Sequence, residues 1–395
     1  MPDAPSTPDT STPQSAVSPA VDVVIAVHRE TRPIERAVAS VLAGGLPPPY
    51  IRVTVVCHNT DARPIARRLG TLTDDASLPS GVRLLELHDE RQSPAGPYNF
   101  GIDHATARFV SVMGSDDTVD PGVYAAWLAI GDAHTSSAVV ASERTTSSGR
   151  VPTPVVRPGR SRDLDPVRDG LAYRTAPLGL VRRTEVDRLG LRFTEGLASG
   201  EDQEFSARLW FGGGRIDYAR GVGDYVVHDD QDDRMTQGRT DLPTLFRFAT
   251  MLVTGSWFAR QDPRVREALV TKILRVHVVP AVAARESSGG WTDRDRREAQ
   301  EIMAVVLGAA PGALASLSLA EWAVVEALED PGVPTEDLVV AAVAARRFLR
   351  PRALVTRNPL HLLRPDAPLR WVLGSVAMKL GGRRRRPAQA VTSST

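Results

Sequence analysis

Between Val21 and Ala141 short apolar runs alternate with segments of helical period, and no other pattern in the chain constrains its fold as much. Val21 to Val27 is apolar apart from Asp22 and reads as a strand buried on both faces. Pro33 stands where a helix begins, and Ile34, Ala37, Val38, Val41 and Leu42 then recur at helical spacing. A strand from Arg52 to Cys57 follows, then the turn His58-Asn59-Thr60-Asp61 and a basic helix to Leu69. Next come a strand at Val82–Leu87, a helix at about Pro97–Ala107, a strand at Phe109–Met113, a helix from Pro121 through Ile130, and a strand at Ala138–Ala141. This alternation predicts an α/β fold, a mostly parallel Rossmann-like sheet with right-handed crossovers and flanking helices. Ligands of such sheets bind beyond the C-terminal strand ends. Cys57–Asp61, His88–Pro97 and Gly114–Asp117 all lie there and should converge on one crevice.

The rest of the chain reads differently. Residues 144–170 are polar and rich in Pro, Arg and Ser, which predicts a mobile loop. Order should return at Ala176–Val181, in a helix near Thr184–Leu189, in a helix starting at Gly200, and in two short strands near Arg215–Tyr218 and Asp224–Val227. From Leu242 onward the period is helical, over Leu242–Phe258, Val265–Ala284, Arg294–Leu307, Leu319–Leu328 and Asp337–Leu349. The expected organisation is a disordered tail over 1–20, an α/β domain over 21–238, a helical accessory domain over 239–380 and a basic tail over 381–395.

Composition excludes more than it selects. Lys and Arg total 48 against 47 Asp and Glu, so global charge favours no polyanion. The one cysteine, Cys57, excludes an internal disulfide and a cysteine metal site, and it reads as a small buried hydrophobe. No apolar run reaches the ~18–20 residues that cross a bilayer. Met1 to Ala20 lacks the basic and apolar regions of a signal peptide, so a cytoplasmic protein is expected. Arg383–Arg386 follow the apolar stretch Trp371–Leu380, a pairing suited to anionic headgroups on the inner face of the plasma membrane. No aromatic-basic motif accompanies them, so nucleic acid is not an expected partner.

Two acidic clusters carry the chemistry. Gly114-Ser115-Asp116-Asp117 follows a buried strand; adjacent acids in a loop are commonly just solvated, but at the ligand edge of a sheet they suit a divalent cation held against phosphate oxygens. Gly200-Glu201-Asp202 opens a helix whose Phe205, Leu209 and Trp210 should anchor it in the core. An acid there can simply balance the helix dipole, or, held in place, take a proton from an attacking hydroxyl. Glu201 is then a candidate for acceptor binding. His28, Glu30, His58 and Asn59 follow the first two strands. His228 follows the strand Asp224–Val227 and is a candidate metal ligand, while Arg234 beyond it is a candidate partner for phosphate. The loop Arg91–Asn99 ends at a helix N-terminus, where free N–H groups favour anions.

At this point the chain resembles a family. Residues 21 to 235 are similar to the catalytic domain of family-2 glycosyltransferases with the GT-A fold. Val23-Val24-Ile25-Ala26-Val27-His28-Arg29-Glu30 resembles the family's opening strand and loop. Pro97-Tyr98-Asn99-Phe100-Gly101 resembles its ARNxG segment, Gly114–Asp117 its DxD-type metal motif, and Gly200-Glu201-Asp202 its ED motif. The resemblance implies a nucleotide-sugar donor held by Val27, His28, Glu30, Asn99, Ser115, Asp116 and Arg234. It also implies Mn²⁺ or Mg²⁺ held chiefly by Asp117 with His228, and Asp202 as the general base of an inverting hexosyl- or N-acetylhexosaminyl-transferase. The layout after Asp202 also resembles wall teichoic acid glycosyltransferases, which implies a cell-surface glycan, teichoic acid or lipid-linked acceptor.

Three positions depart from the pattern. Cys57-His58-Asn59-Thr60-Asp61 stands where the family often has Asp-Asp-Gly-Ser, which leaves His58 or Asn59 to contact the base. Gly114 replaces the first Asp of DxD, and Tyr98 replaces the Arg of ARN. Two other readings stay open: a nucleotidyl- or phosphoryl-transferase using the metal site without Asp202, which no Walker-type loop supports, and a non-catalytic scaffold for glycan assembly.

Overall fold

The computed structural model describes residues 18–230, 240–285 and 290–381. Its sheet contains β1 (Val21–Val27), β2 (Ile51–His58), β3 (Val82–Leu87), β4 (Phe109–Gly114), β5 (Thr118–Val119), β6 (Ala138–Thr145), β7 (Gly149–Arg150), β8 (Gly179–Arg182) and β9 (Ile216–Val227). The order is β3-β2-β1-β4-β8-β6-β9-β5, with β7 paired to β6. β1 pairs parallel with β2 and β4, and β2 with β3. β8 runs antiparallel between β4 and β6, while β6 and β9 are parallel. Two antiparallel steps restore direction, so β1 to β4, β6 and β9 all end at one edge. The sheet is the mostly parallel one expected, with short antiparallel insertions.

Helices α1 (Ile34–Leu42), α2 (Ala62–Gly70), α3 (Ala95–Asp103), α4 (Val123–Ala133), α5 (Arg183–Leu189) and α6 (Gln203–Trp210) cover both faces. α1, α2 and α4 bury Ile34, Val38, Ile65 and Trp127 against one face. α3, α5 and α6 bury Ile102, Val186, Phe205 and Trp210 against the other. Coverage on both sides is why β1 is apolar along its length. Its exception, Asp22, is fully buried and accepts from Arg52 at 2.6 and 2.8 Å and from the Thr106 and Ala107 N–H groups at 2.6 and 2.8 Å. It ties the chain end of β1 to the entry of β4, away from the ligand edge. Gly101 lets α3 lie on β1, since a β carbon there would stand 2.3 Å from Val24 Cγ1.

Five expectations need correction. The helix expected from Pro97 begins at Ala95, and the one expected from Pro121 begins at Val123 after Gly122 in the left-handed region. The two short strands after α6 are one strand, β9, whose register against β6 jumps from Ala141/Ala219 to Ser142/Asp224; the bulge absorbs Gly221 and Gly223. The polar stretch 144–170 is not a free loop. It begins with the β6–β7 hairpin, and its later part is gathered on Asp169, fully buried, which accepts from Arg157 at 2.6 and 2.7 Å and from the Asp165 N–H at 2.9 Å. The helix expected over Leu242–Phe258 is three helices.

Those are α7 (Leu242–Leu245), α8 (Arg247–Thr254) and α9 (Ser256–Ala259). α10 (Pro263–Lys272) runs through a π-helical turn at Ile273–Val278 into α11 (Val279–Arg285). α12 (Asp293–Ala309), α13 (Leu319–Glu329), α14 (Thr335–Ala345), α15 (Pro351–Leu354) and α16 (Pro368–Gly381) complete the helical region. Its core includes Ala172, Tyr173, Leu197 and Ala207, contributed by segments between β7 and β9. Buried Arg275 fastens the join: it donates to Glu321 at 2.6 Å, to Tyr173 Oη at 2.6 Å and to the Asp366 carbonyl at 3.0 Å. The predicted tails fall outside the described residues except at their inner ends.

Candidate active site

The ligand edge is built where β4 and β9 end. After Gly114 the chain turns, and the Asp117 N–H bonds back to the Gly114 carbonyl at 3.3 Å. A β carbon on Gly114 would lie 2.7 Å from Asp117 Oδ2, so the glycine permits this tight turn. The Asp117 carboxylate accepts from Tyr225 Oη at 2.7 Å and from the His228 N–H at 3.2 Å. Burial and the neighbouring charge of Asp116 outweigh those hydrogen bonds and push its pKa up to about 6. Asp116 is bound differently, by Arg32 at 2.7 Å, and Arg36 reaches its carbonyl and, at 2.7 Å, Asp230. Ser115 is buried.

Asp202 is the N-cap of α6, but its side chain caps no helical N–H. Dipole compensation by direct capping is therefore not its task. Its Oδ1 accepts from Gln203 Nε2 at 3.2 Å. Burial raises its pKa, against the opposing charge of Lys272. Burial and the charge of Asp202 likewise raise Glu201. Gly200 just before them takes φ +79°, and a β carbon there would stand 2.7 Å from Phe248 Cγ on α8.

Tyr98 joins the two acidic clusters. Its buried hydroxyl donates to the Met113 carbonyl at 3.2 Å. Burial raises its pKa, and the charges of Asp117, Glu201, Asp116 and Asp202 all add to the effect. The Met113 carbonyl is on the strand that leads to Asp116–Asp117, and the Tyr98 ring centroid is 5.1 Å from that of Phe193, next to Thr194, whose N–H bonds to the Glu201 carbonyl at 2.8 Å. The position that departs from ARNxG thus sits between the sites the sequence singled out.

The other predicted residues are placed as follows. Val27 is buried at the end of β1, His28 is half-buried in the next loop, and Glu30 there is exposed. His58 ends β2, with Nε2 2.7 Å from Asp89 Oδ1. Asn59, at φ +53°, donates to the Arg91 carbonyl at 3.0 Å and accepts from the Asp89 N–H at 3.0 Å. The two fasten β2 to the loop before α3. Asn99 is buried; it accepts from the Phe193 N–H and donates to the Phe193 carbonyl, both at 2.9 Å. Its amide is committed to the segment leading to Glu201, whose carbonyl accepts from Thr194 at 2.8 Å. His228 Nε2 lies 2.9 Å from Thr118 Oγ1, and burial lowers its pKa. Arg234 lies outside the described residues. Cys57 is buried, as expected, with its thiol pushed up to about 11 by burial.

The residues fit a divalent cation only in company with ligand oxygens. Asp117 is a buried carboxylate crowded by Asp116 and Glu143, a place where positive charge is favoured. Yet among the described residues no three His, Cys, Asp or Glu side chains gather to hold a metal. Phosphate oxygens and water would have to complete the shell, which is usual for Mg²⁺.

Sequence reasoning missed Tyr225, Arg32, Arg36 and Lys272. Arg32 and Arg36 carried a signal, being basic residues at the first strand-to-helix turn. Tyr225 and Lys272 carried none, because each reaches the site from a distant element.

Comparison with known proteins fits this geometry. Residues 22–189 match the model for glycosyl transferase family 2. Among curated proteins, none matches the chain in sequence. Among solved structures, S. aureus TarS residues 1–349 in complex with UDP-GlcNAc superimposes with a TM-score of 0.68 at 15% identity, covering 83% of this chain and 91% of that one. The same piece of TarS with UDP gives 0.65 at 14% identity, covering 84% and 93%. The longer TarS structure also gives 0.65 at 14%, with 84% of this chain and 56% of TarS covered. The last figure means that TarS continues well beyond the part this chain shares.

Proposed function

We propose, for a chain that carries a family-2 glycosyltransferase domain on a GT-A fold, an inverting transfer of a sugar from a nucleoside diphosphate to an acceptor hydroxyl. The observation that carries this reading is that Tyr98 bridges the two clusters, its hydroxyl bonded to Met113 before the Asp116–Asp117 turn and its ring against Phe193 in the segment bonded to Glu201. One cluster faces the donor phosphates and the other the acceptor. Asp202 accepts the acceptor's hydroxyl proton as its oxygen attacks the anomeric carbon. The new glycosidic bond forms on the face opposite the breaking carbon–oxygen bond, and the diphosphate departs with that bond's electrons. Charge of oxocarbenium type builds on the sugar meanwhile. Holding both substrates in one crevice supplies the proximity.

Asp117 with His228 would hold Mn²⁺ or Mg²⁺, which supplies charge neutralisation to the departing diphosphate. Arg32, anchored on Asp116, sets a cation beside that turn. His58 and Asn59, pinned to Asp89, line the end of β2 where a base would rest. The TarS complex with UDP-GlcNAc makes that donor the first to try. The acceptor we favour is a cell-surface glycan or glycopolymer.

A membrane-surface location is supported by the tip of the helical region. Leu349, Leu360 and Leu363 are 82, 83 and 86% exposed there, among Arg346, Arg347, Arg350, Arg352 and Arg364. Leucines protruding among arginines suit an anionic bilayer surface. No helix among the described residues is long and apolar enough to cross a membrane. Deleting Arg383–Arg386 should weaken binding to anionic liposomes; unchanged binding would remove the tail from this reading.

The test of the main reading is Asp202→Asn. It should keep donor binding, seen as thermal stabilisation by UDP-GlcNAc or another nucleotide sugar with Mn²⁺. Transfer should fall by ~10³-fold or more, at the strong end of general-base effects. Turnover at the wild-type rate would end the assignment. Release of pyrophosphate in place of a nucleoside diphosphate would instead identify a nucleotidyltransferase.

A further inference from the structure

The helical region is not a bystander to the crevice. Lys272, the last residue of α10, is 3% exposed. Its ammonium donates to Gln203 Oε1, and Gln203 Nε2 in turn donates to Asp202 Oδ1 at 3.2 Å. Gln203 is itself buried. Two successive hydrogen bonds therefore run from a buried cation to the carboxylate at the start of α6. The pocket beside the ammonium is lined mostly by apolar side chains, among them Ala207, Trp210, Leu252 and Ile273, with Arg174, Thr175 and Ser206 as its other polar members. A cation in such a wall is costly unless it serves a partner. It has no salt bridge within 4.0 Å among the described residues, and the anion it senses is Asp202.

A second contact reaches the same turn from the helices. Phe248 packs against Gly200, and its ring centroid lies 4.7 Å from that of His277 in the π-helical turn that follows Lys272. π-Helical turns widen a helix locally and are frequent at functional sites. Here the turn directly follows Lys272, which reaches Gln203, and carries His277, which reaches Phe248.

We propose that Lys272 is a positioning residue for the general base, orienting the Asp202 carboxylate through Gln203 and balancing its charge from inside the helical region. This rests on the reading of Asp202 as that base. The charged groups around the pair are few. Burial and the charge of Asp202 oppose ionisation of Glu201, and burial holds Tyr98 neutral. Burial and Lys272 push His277 down to about 2, so it is neutral too. Arg174 in the same wall is taken by Glu143 and the Ala141 carbonyl. Lys272, held down to about 7 by burial and drawn back up by Asp202, is the cation that answers Asp202.

Lys272→Met keeps the length of the side chain and removes the charge. With the cation gone, burial of Asp202 acts unopposed and its pKa rises further. The acid limb of the kcat profile should move to higher pH, and kcat at neutral pH should fall by ~10-fold to 10²-fold, with recovery as pH is raised. The donor KM and metal-dependent donor binding should stay within about twofold, since neither site includes Lys272. The melting temperature should fall, because removing one partner leaves the buried Asp202 carboxylate unbalanced and Gln203 Oε1 without its donor, so the acid limb is the discriminating readout. A residue that merely supported folding would lower stability and leave the acid limb in place. Gln203→Leu is the second variant: it breaks the relay, keeps the charge and should lower kcat with a smaller shift of the limb.

An unmoved acid limb with kcat intact in Lys272→Met, alongside an inactive Asp202→Asn, would overturn the positioning role and leave the base assignment standing. Full activity of Asp202→Asn would remove the base, and the positioning role with it. If Lys272→Met fails to fold, Gln203→Leu decides, and wild-type kcat in that variant overturns the proposal.

Discussion

Asp117 and Asp202 are both carboxylates whose pKa is raised by burial, and they border the same crevice, yet they are held by different parts of the molecule. The partners of Asp117 are Tyr225 and the backbone of His228, at the end of the neighbouring sheet strand β9. Asp202 is backed by Lys272 through Gln203 and by Phe248 against Gly200, both from the helical region. On the proposed assignment of Asp117 to the donor and Asp202 to the acceptor, the donor side is internal to the α/β unit, whereas the acceptor side is completed at a seam between that unit and the helices. A sheet edge fixes a carboxylate with little outside help, because strand register already determines where each side chain stands. The first turn of a helix fixes one only if something stops the turn from shifting.

The sharpest way to break this comparison is to neutralise each acid in turn. Asp117→Asn and Asp202→Asn should both reduce transfer by ~10³-fold or more. They should differ in binding. Asp117→Asn is expected to abolish the metal-dependent part of donor stabilisation in a thermal-shift assay, while Asp202→Asn keeps it. Equal loss of donor binding in both would mean that the crevice has no separate donor and acceptor sides. The pH dependence follows from Asp202: a base raised above the ordinary carboxylate range loses its function as pH falls through that raised value. The acid limb of kcat should therefore lie above the usual range for aspartate, whereas a limb near pH 4 would argue for a solvated acid.

Next in size is the segment that leads into the Gly200–Asp202 turn. Asn99 holds the Phe193 N–H and carbonyl in the interior, and the next residue, Thr194, is bonded to Glu201. Asn99→Ala strands two buried backbone groups and should destabilise the protein by about 2–4 kcal/mol, read from denaturant unfolding. Loss of kcat should exceed loss of donor affinity, because the segment leads to Glu201 and not to Asp117. Gly200→Ala tests the same turn from the side of the helices; its φ of +79° and the 2.7 Å approach to Phe248 leave no room for a methyl group. An active, stable Gly200→Ala would show that the helices do not define the turn.

How far these parts could be read from sequence follows the same division. β1, β2 and β4 announce themselves as continuous apolar runs because both faces are covered, and Gly114–Asp117 lies where such strands end. Gly200–Asp202 is legible as a helix start followed by core residues. Lys272 is not, since a lysine in a helical stretch reads as surface, and nothing local shows that its neighbours in space are Ala207 and Trp210. The segment 144–170 was misread because its composition is that of a loop, while its order comes from one buried acid, Asp169, that gathers Arg157 and backbone N–H groups. β9 was read as two strands because Gly221 and Gly223 mimic a turn inside what is a bulge. In each case the missing information is a contact distant in sequence.

A smaller effect is expected within the sheet. Tyr225→Phe removes the hydroxyl that donates to Asp117 and leaves the ring in the core. One hydrogen bond to a charged group is worth about 1.5–3 kcal/mol, part of which bound metal would restore. Donor affinity should fall by ~10-fold with kcat nearly constant, the reverse of the pattern predicted at Lys272 and Asn99. A fall in kcat alone would place Tyr225 with the acceptor side and undo the division.

The smallest effect is predicted at Arg91, and it is informative for that reason. Arg91, in the loop before α3, pairs with Glu195, two residues beyond Phe193. The pair therefore holds the same segment as Asn99, but its side chains are 56 and 43% exposed. Solvent screens such a pair and ordering two long side chains opposes it, so Arg91→Ala should change stability by less than ~1 kcal/mol. Transfer should change by less than about threefold, and raising the salt concentration should mimic the substitution. If Arg91→Ala instead reduced kcat as strongly as Asn99→Ala, the segment would be held by its rim and not by its buried hydrogen bonds. The comparison between an internally fixed donor side and an externally buttressed acceptor side would then have to be redrawn around a surface loop.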